Sequence, residues 1–111
     1  MPVRLGTSSW TAESWVGSFY PAGMQAADFL PFYAQHFDTV EIDATFYRIP
    51  SPAVVDGWKR RTPDGFKFAA KAPQVITHEK RLEGAAADLE SFLKVMSGLG
   101  DRLGPILFQF P

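Results

Sequence analysis

The chain has 111 residues, 46% of them hydrophobic and 21% charged, with a net charge of −1 and no cysteine. That length holds one globular domain, and the composition supports a core rather than general disorder. The same figures exclude disulfides, thiolate metal sites and cysteine nucleophiles, and a pI near 6.1 gives no basic footprint for bulk nucleic-acid binding.

Val3-Arg4-Leu5-Gly6-Thr7 alternates and reads as a first strand, ended by Gly6 and the polar run Thr7-Ser8-Ser9. From Thr11 to Gly23 there is no clean period, so a structured loop is expected, with one helical turn near residues 12–16. Asp28 suits an N-cap, with Pro31 in the first turn of the helix that follows. Ala26, Phe29, Leu30, Tyr33 and Phe37 fall near one face of that helix, which ends around His36.

Thr39-Val40-Glu41-Ile42-Asp43 is a second strand, apolar at Val40 and Ile42 and acidic at Glu41 and Asp43. It runs on into Phe46-Tyr47-Arg48 as a ring-and-cation loop. Ser51-Pro52 starts a helix, as an N-cap followed by proline at the first position. Its buried face is expected from Val54, Val55 and Trp58, and Lys59, Arg60 and Arg61 complement its C-terminal end. A turn at Thr62-Pro63-Asp64-Gly65 leads to a third strand, 66–71, closed by Pro73. Residues 74–81 read as a polar loop carrying Thr77 and His78. A helix from 82 or 83 to 97 then presents Ala86, Leu89, Phe92, Leu93 and Met96, and Gly98 and Gly100 stop it. The last strand is 105–110.

Strands starting near residues 3, 38, 66 and 105 leave room for one crossover helix between each pair. The expected fold is α/β, the first four units of a TIM-like (β/α)8 barrel with four parallel strands. A complete barrel takes about 250 residues, and four parallel strands alone leave an unprotected edge. Residues 1–111 are therefore expected to be the N-terminal half of one barrel domain, completed by the missing C-terminal half or by self-association. No run approaches the roughly 18–20 apolar residues that span a bilayer, and the N-terminus lacks a signal-like apolar run. The expectation is a cytoplasmic protein without membrane contact.

Barrel strands alternate between helices and lumen. Placing Val40, Ile42, Phe66, Phe68, Ala70, Ile106, Phe108 and Phe110 against helices sends Glu41, Asp43, Lys67, Lys71 and Gln109 inward. Asp43, Lys71 and Gln109 then lie towards the strand carboxyl ends, where parallel-sheet proteins place their sites. Glu41 and Lys71 are read as facing partners, catalytic or structural. Asp43 and Glu41 with His78 make an oxygen- and imidazole-rich set, but no ligand spacing supports a metal, and no cofactor is assigned. Trp10, Trp15, Phe19, Tyr20, Phe46 and Tyr47 suit stacking on sugars or bases, although Trp15 and Phe19 are better placed to pack the loop. Arg48 suits a phosphate or carboxylate, or pairing with Asp43.

Gly6-Thr7-Ser8-Ser9-Trp10, Trp15-Val16-Gly17-Ser18-Phe19-Tyr20-Pro21, the stretch from Val40 to Arg48, Phe68-Ala69-Ala70-Lys71-Ala72-Pro73 with Ile76-Thr77-His78, and Leu107-Phe108-Gln109-Phe110-Pro111 together resemble the YecE-like family, domain-of-unknown-function family seventy-two. The resemblance implies a TIM-like barrel of roughly twice this length. It carries Trp10, Glu41, Thr45, Tyr47, Lys71, His78 and Gln109 over as site candidates, with no established reaction. The family usually has asparagine where this chain has Asp43, and often serine at Ala44.

The expected function is a barrel enzyme acting at the strand carboxyl ends on a sugar, nucleotide or phosphorylated small molecule. Glu41 or Asp43 serves as general base or metal ligand, Lys71 as electrostatic stabiliser and His78 as proton carrier, and Trp10, Thr45, Tyr47, Arg48 and Gln109 contact substrate. The alternatives are a non-catalytic nucleic-acid or nucleotide module, which the near-zero charge disfavours, and an inactive half-barrel.

Overall fold

A computed structural model describes residues 3–111. Its centre is a parallel sheet of three strands in sequential order: β1 (Thr39–Ile42), β2 (Lys67–Lys71) and β3 (Leu103–Leu107). The helices are α1 (Phe29–His36), α2 (Ala44–Tyr47), α3 (Pro52–Arg60) and α4 (Ala86–Met96). β1 and β2 run in register from Thr39 opposite Lys67 to Ile42 opposite Ala70. On β3 the register shifts between Leu103, opposite Phe68, and Ile106, opposite Ala70. The extra residue falls at Gly104-Pro105, where proline has no N–H for a ladder.

Alternation fixes the two sides of the sheet. Val40, Ile42, Phe66, Phe68 and Ala70 are buried with Phe29, Leu30 and Tyr33 of α1, Val55 of α3, and Phe92, Met96 and Leu99. Glu41, Lys67, Ala69 and Lys71 take the opposite parity and are half-exposed. Each large apolar side chain buried here contributes about 1.5–3 kcal/mol. The aromatic loop before α1 packs on that helix. Tyr20 stacks on Phe29 with ring centroids 4.2 Å apart, and Phe19 meets Phe32 at 5.4 Å. Burial, with Tyr33 nearby, pushes the Tyr20 hydroxyl up to about 12.

The expected first strand is reduced to a single parallel bridge, Ser8 to Glu41. The Glu41 N–H donates to the Thr7 carbonyl at 3.0 Å, and the Ser9 N–H donates to the Glu41 carbonyl at 2.8 Å. Ser9 then takes φ +67, which ends any ladder, and Val3 and Leu5 stay exposed. The fully buried Tyr33 hydroxyl clamps this segment. It accepts from the Thr7 N–H at 2.8 Å and donates to the Thr39 carbonyl at 3.0 Å. A Cβ on Gly6 would lie 2.1 Å from the Thr39 carbonyl oxygen, so only glycine allows this approach.

Other expectations shift as well. Ser51 caps α3 by accepting the Val54 N–H, with Pro52 at the first position, as its sequence indicates. Asp28 occupies the N-cap of α1, but its side chain makes no capping bond. Val55 is fully buried while Val54 is exposed, being a helical step away from the Val55–Trp58 stripe. α4 starts at Ala86 rather than 82 or 83, because Arg81, Leu82 and Gly84 adopt positive φ. It buries Phe92 and Met96 and leaves Leu93 exposed. Residues 75–79 form a π-helical turn, not a polar loop, with Ile76 and Thr77 fully buried. β3 ends at Leu107, so Phe108, Gln109 and Phe110 lie beyond it and are exposed. The Leu107 carbonyl receives the Ala72 N–H, and Ala72-Pro73 then leads β2 into the π-turn, leaving 108–110 without a ladder. Among the described residues no helix is long and apolar enough to cross a membrane.

Tyr33→Phe keeps the ring and deletes the clamp, leaving the Thr7 N–H and the Thr39 carbonyl without this partner. The expected loss is about 1–3 kcal/mol in chemical denaturation, with faster hydrogen exchange at the Thr7 amide. Unchanged stability and exchange contradict the clamp.

Candidate functional site

The carboxyl ends of β1 and β2 bring together a carboxyl pair, a cation and an imidazole. Glu41 is fixed by its strand, and Asp43 follows as the N-cap of α2. α2 is a single four-residue turn, too short to hold itself. Thr45 anchors it. That side chain is fully buried, and its hydroxyl lies 3.0 Å from the Ile42 carbonyl and 2.6 Å from the Lys71 carbonyl. One hydroxyl thus fastens α2 to the last residues of both strands.

Phe46, next on α2, gathers the charged groups. The Lys71 Nζ sits 4.7 Å from its ring centroid, a cation–π geometry. The His78 ring meets Phe46 edge-on at 5.0 Å, and Tyr47 meets it at 5.1 Å. His78 comes from the π-turn, where the Thr77 hydroxyl lies 2.8 Å from Nδ1 and orients the ring. π-helical turns recur at functional sites.

Glu41 carries the electrostatic signature. Its carboxyl is held above its ordinary value of 4.5, first by a side-chain hydrogen bond with Asp43, then by desolvation and by the Asp43 charge. Lys71 opposes the shift. Lys71 is thus close enough to act on Glu41, but the expected pairing of the two is not an ion pair. Among the described residues the ion pairs are Arg4–Asp38, Arg60–Asp56, Lys80–Asp88 and Arg102–Asp64, and Lys71 turns to Phe46 instead. Lys67, also of inward parity, donates to the Asp101 carbonyl.

The remaining candidates divide. Glu41, Asp43, Lys71 and His78 cluster, with Tyr47 exposed at the edge. Thr45 belongs to the cluster as its buried anchor, its hydroxyl occupied by two carbonyls. Trp10 does not join. It packs 5.7 Å from Trp58 and 6.1 Å from Phe68, on the helix-packed side of the sheet. Gln109 is exposed beyond β3. Arg48 is not paired with Asp43 and lines a separate cleft with Ile49, Val54 and Trp58. Thr77 was not among the candidates, and Phe46 was expected only as a ring for stacking on a ligand. Nothing local in Phe46-Tyr47-Arg48 marks which ring will sit under a cation. No group of three or more His, Asp or Glu among the described residues is placed to hold a metal.

A family model described as "Protein of unknown function DUF72" matches residues 4–111. The chain is 34% identical to the UPF0759 protein YecE of Escherichia coli over 109 residues, covering 98% of this chain and 38% of that protein. It is 30% identical to the UPF0759 protein YunF of Bacillus subtilis, covering 40% of that protein. The chain therefore spans about two-fifths of the curated relatives it matches. Two crystal structures of DUF72 family proteins superpose on it. The Thermotoga maritima structure gives a TM-score of 0.81 at 34% identity, over 97% of this chain and 44% of that one. The Enterococcus faecalis structure gives 0.76 at 25% identity, over 97% and 39%.

A carboxyl whose pKa is higher folded than unfolded stabilises the fold while protonated. The Glu41 contribution is therefore full below the ordinary value of 4.5 and is lost as pH rises through the raised value. Asp43→Asn removes the neighbouring charge and offers a donor, so the Glu41 titration moves down, whereas Lys71→Ala moves it up. Carbon-13 NMR titration of the Glu41 carboxyl checks both directions. A Glu41 midpoint that ignores Asp43→Asn contradicts the influence of Asp43 on Glu41.

Proposed function

The chain belongs to the DUF72 family, and on that premise we propose that its sheet end is a proton-transfer site of a barrel enzyme acting on a small polar substrate. The single observation that carries this is the convergence at the carboxyl ends of β1 and β2 of Glu41, Asp43, the Lys71 cation 4.7 Å from the Phe46 ring centroid and the His78 ring edge-on to the same ring, and the raised Glu41 carboxyl accords with it. Carboxyl pairs whose environments differ are a recurring way to obtain an acid and a base from one residue type. Glu41 gives up or receives the proton, with the Asp43 carboxyl beside it. Lys71 stabilises negative charge developing on the substrate, and its perch over Phe46 keeps it close without neutralising Glu41. His78, with Nδ1 engaged by Thr77, has Nε2 left for proton exchange with solvent.

A sugar, a nucleotide or another phosphorylated metabolite fits this set, because hydroxyl protons suit the carboxyl pair and Tyr47 offers an exposed ring. The β1–β2–β3 sheet supplies part of a (β/α)8 barrel in this proposal, and the rest of the site lies in the portion of the relatives that this chain does not span.

A thermal-shift panel of sugars, nucleotides and sugar phosphates on the full-length protein tests the reading. A ligand that raises Tm in the parent is expected to lose its effect in Glu41→Gln and in Lys71→Ala, while both variants keep parental stability within about 1 kcal/mol. Both variants binding as the parent does, or both losing stability with no change in binding, turns the cluster into scaffold.

A further inference from the structure

A cleft of about 520 Å³ opens on the other flank of α2, lined by Ala44, Arg48, Ile49, Pro50, Val54 and Trp58 together with two hydroxyl residues. Glu41, Asp43, Phe46, Lys71 and His78 do not line it. Its volume lies within the roughly 300–1,000 Å³ of small-molecule sites. Its floor is firm, because Ile49 and Trp58 pack on the core and Trp58 lies parallel-offset to Phe68 at 6.2 Å. Val54, exposed on α3, forms the outer wall.

The polar chemistry of the lining is one-sided. The Thr45 hydroxyl is engaged by the Ile42 and Lys71 carbonyls, and the Ser51 hydroxyl accepts the Val54 N–H at 3.2 Å. Pro50 and Pro52 carry no N–H. Arg48 is exposed, and no acidic partner meets it among the described residues. As the C-cap of α2 it has extended backbone, φ −159°, and its N–H is bound to the Ala44 carbonyl. What remains is a guanidinium with its donors free, set beside an indole and two branched aliphatic side chains. A guanidinium takes an oxyanion bidentately, and the apolar wall takes a ring or an alkyl chain.

We propose that this cleft is a second binding site, separate from the carboxyl cluster, for a small amphipathic oxyanion whose phosphate or carboxylate lies on Arg48 and whose apolar body lies against Trp58, Ile49 and Val54. The proposal stands apart from the proton-transfer reading, since the two sites share only the short helix between them.

The test titrates the full-length protein with phenyl phosphate and with benzoate, followed by calorimetry and by tryptophan fluorescence, with inorganic phosphate and phenol as the two halves of the ligand. Saturable binding of at least one aryl anion is expected, tighter than either half alone, and the tighter aryl anion names the headgroup. Arg48→Gln weakens it by at least about tenfold, as loss of a charge-assisted hydrogen bond does. Val54→Lys tightens it, Val54→Glu weakens it, and Glu41→Gln leaves it unchanged. Because Arg48 and Val54 are both exposed, these variants keep the fold. The proposal is overturned by an absence of saturation, by parental binding in Arg48→Gln, or by inorganic phosphate matching phenyl phosphate. A loss in Glu41→Gln equal to that in Arg48→Gln overturns it too, by moving the ligand to the carboxyl cluster, and it leaves the proton-transfer reading standing.

Discussion

The buried hydroxyl of Thr45 is the small contact on which the site depends. It reaches the carbonyls of Ile42 and Lys71, the last residues of two neighbouring parallel strands. Four residues of helix have little stability of their own, so α2 keeps its place through this anchor and its packing. Everything that gives the site its character is carried by that turn or set by it. Asp43 begins it, Phe46 spreads beneath the Lys71 cation, and Arg48 leaves it towards the opposite cleft.

The sheet supplies the second constraint. Each strand presents its apolar residues to the helices, and the same alternation forces Glu41, Lys67 and Lys71 onto the other side. A polar cluster there is a geometric consequence of a well-packed core. Its particular pairing is not. Lys71 reaches an aromatic ring, Lys67 a backbone carbonyl, and Glu41 its neighbour two residues along. The free side of β1 is held by a side chain rather than by a ladder. Tyr33 ties Thr7 to Thr39, and Gly6 permits the approach.

The parts that could be read from the chain alone are those with short-range causes. Period-two alternation placed β1 and β2, and Ser51-Pro52 placed the start of α3, because one cap and one ring decide them locally. What escaped depends on partners distant in sequence. The first strand shrank to a bridge because Ser9 turns away, and 108–110 left the ladder where β2 bends into the π-turn. The α4 face was misassigned at Leu93, since an apolar residue every third or fourth position does not say how much of the stripe a neighbour covers. At the site, parity brought Glu41 and Lys71 to one side of the sheet correctly. It could not rank Asp43 and Phe46 above each other as partners, because that choice turns on side-chain reach and on the π-turn that delivers His78.

The chemistry of the site turns on Glu41, its carboxyl held above the ordinary value beside Asp43, with Lys71 over Phe46 and not in ion-pair contact with it. Neutron diffraction from deuterated crystals of the full-length protein, kept on the acid side of the Glu41 titration, observes the Glu41 proton and the Lys71 contact directly. The account predicts a deuteron on Glu41 directed at an Asp43 carboxylate oxygen, with the Lys71 ammonium over the Phe46 ring. A bare Glu41 carboxylate in contact with the Lys71 ammonium, with Asp43 turned away, contradicts it.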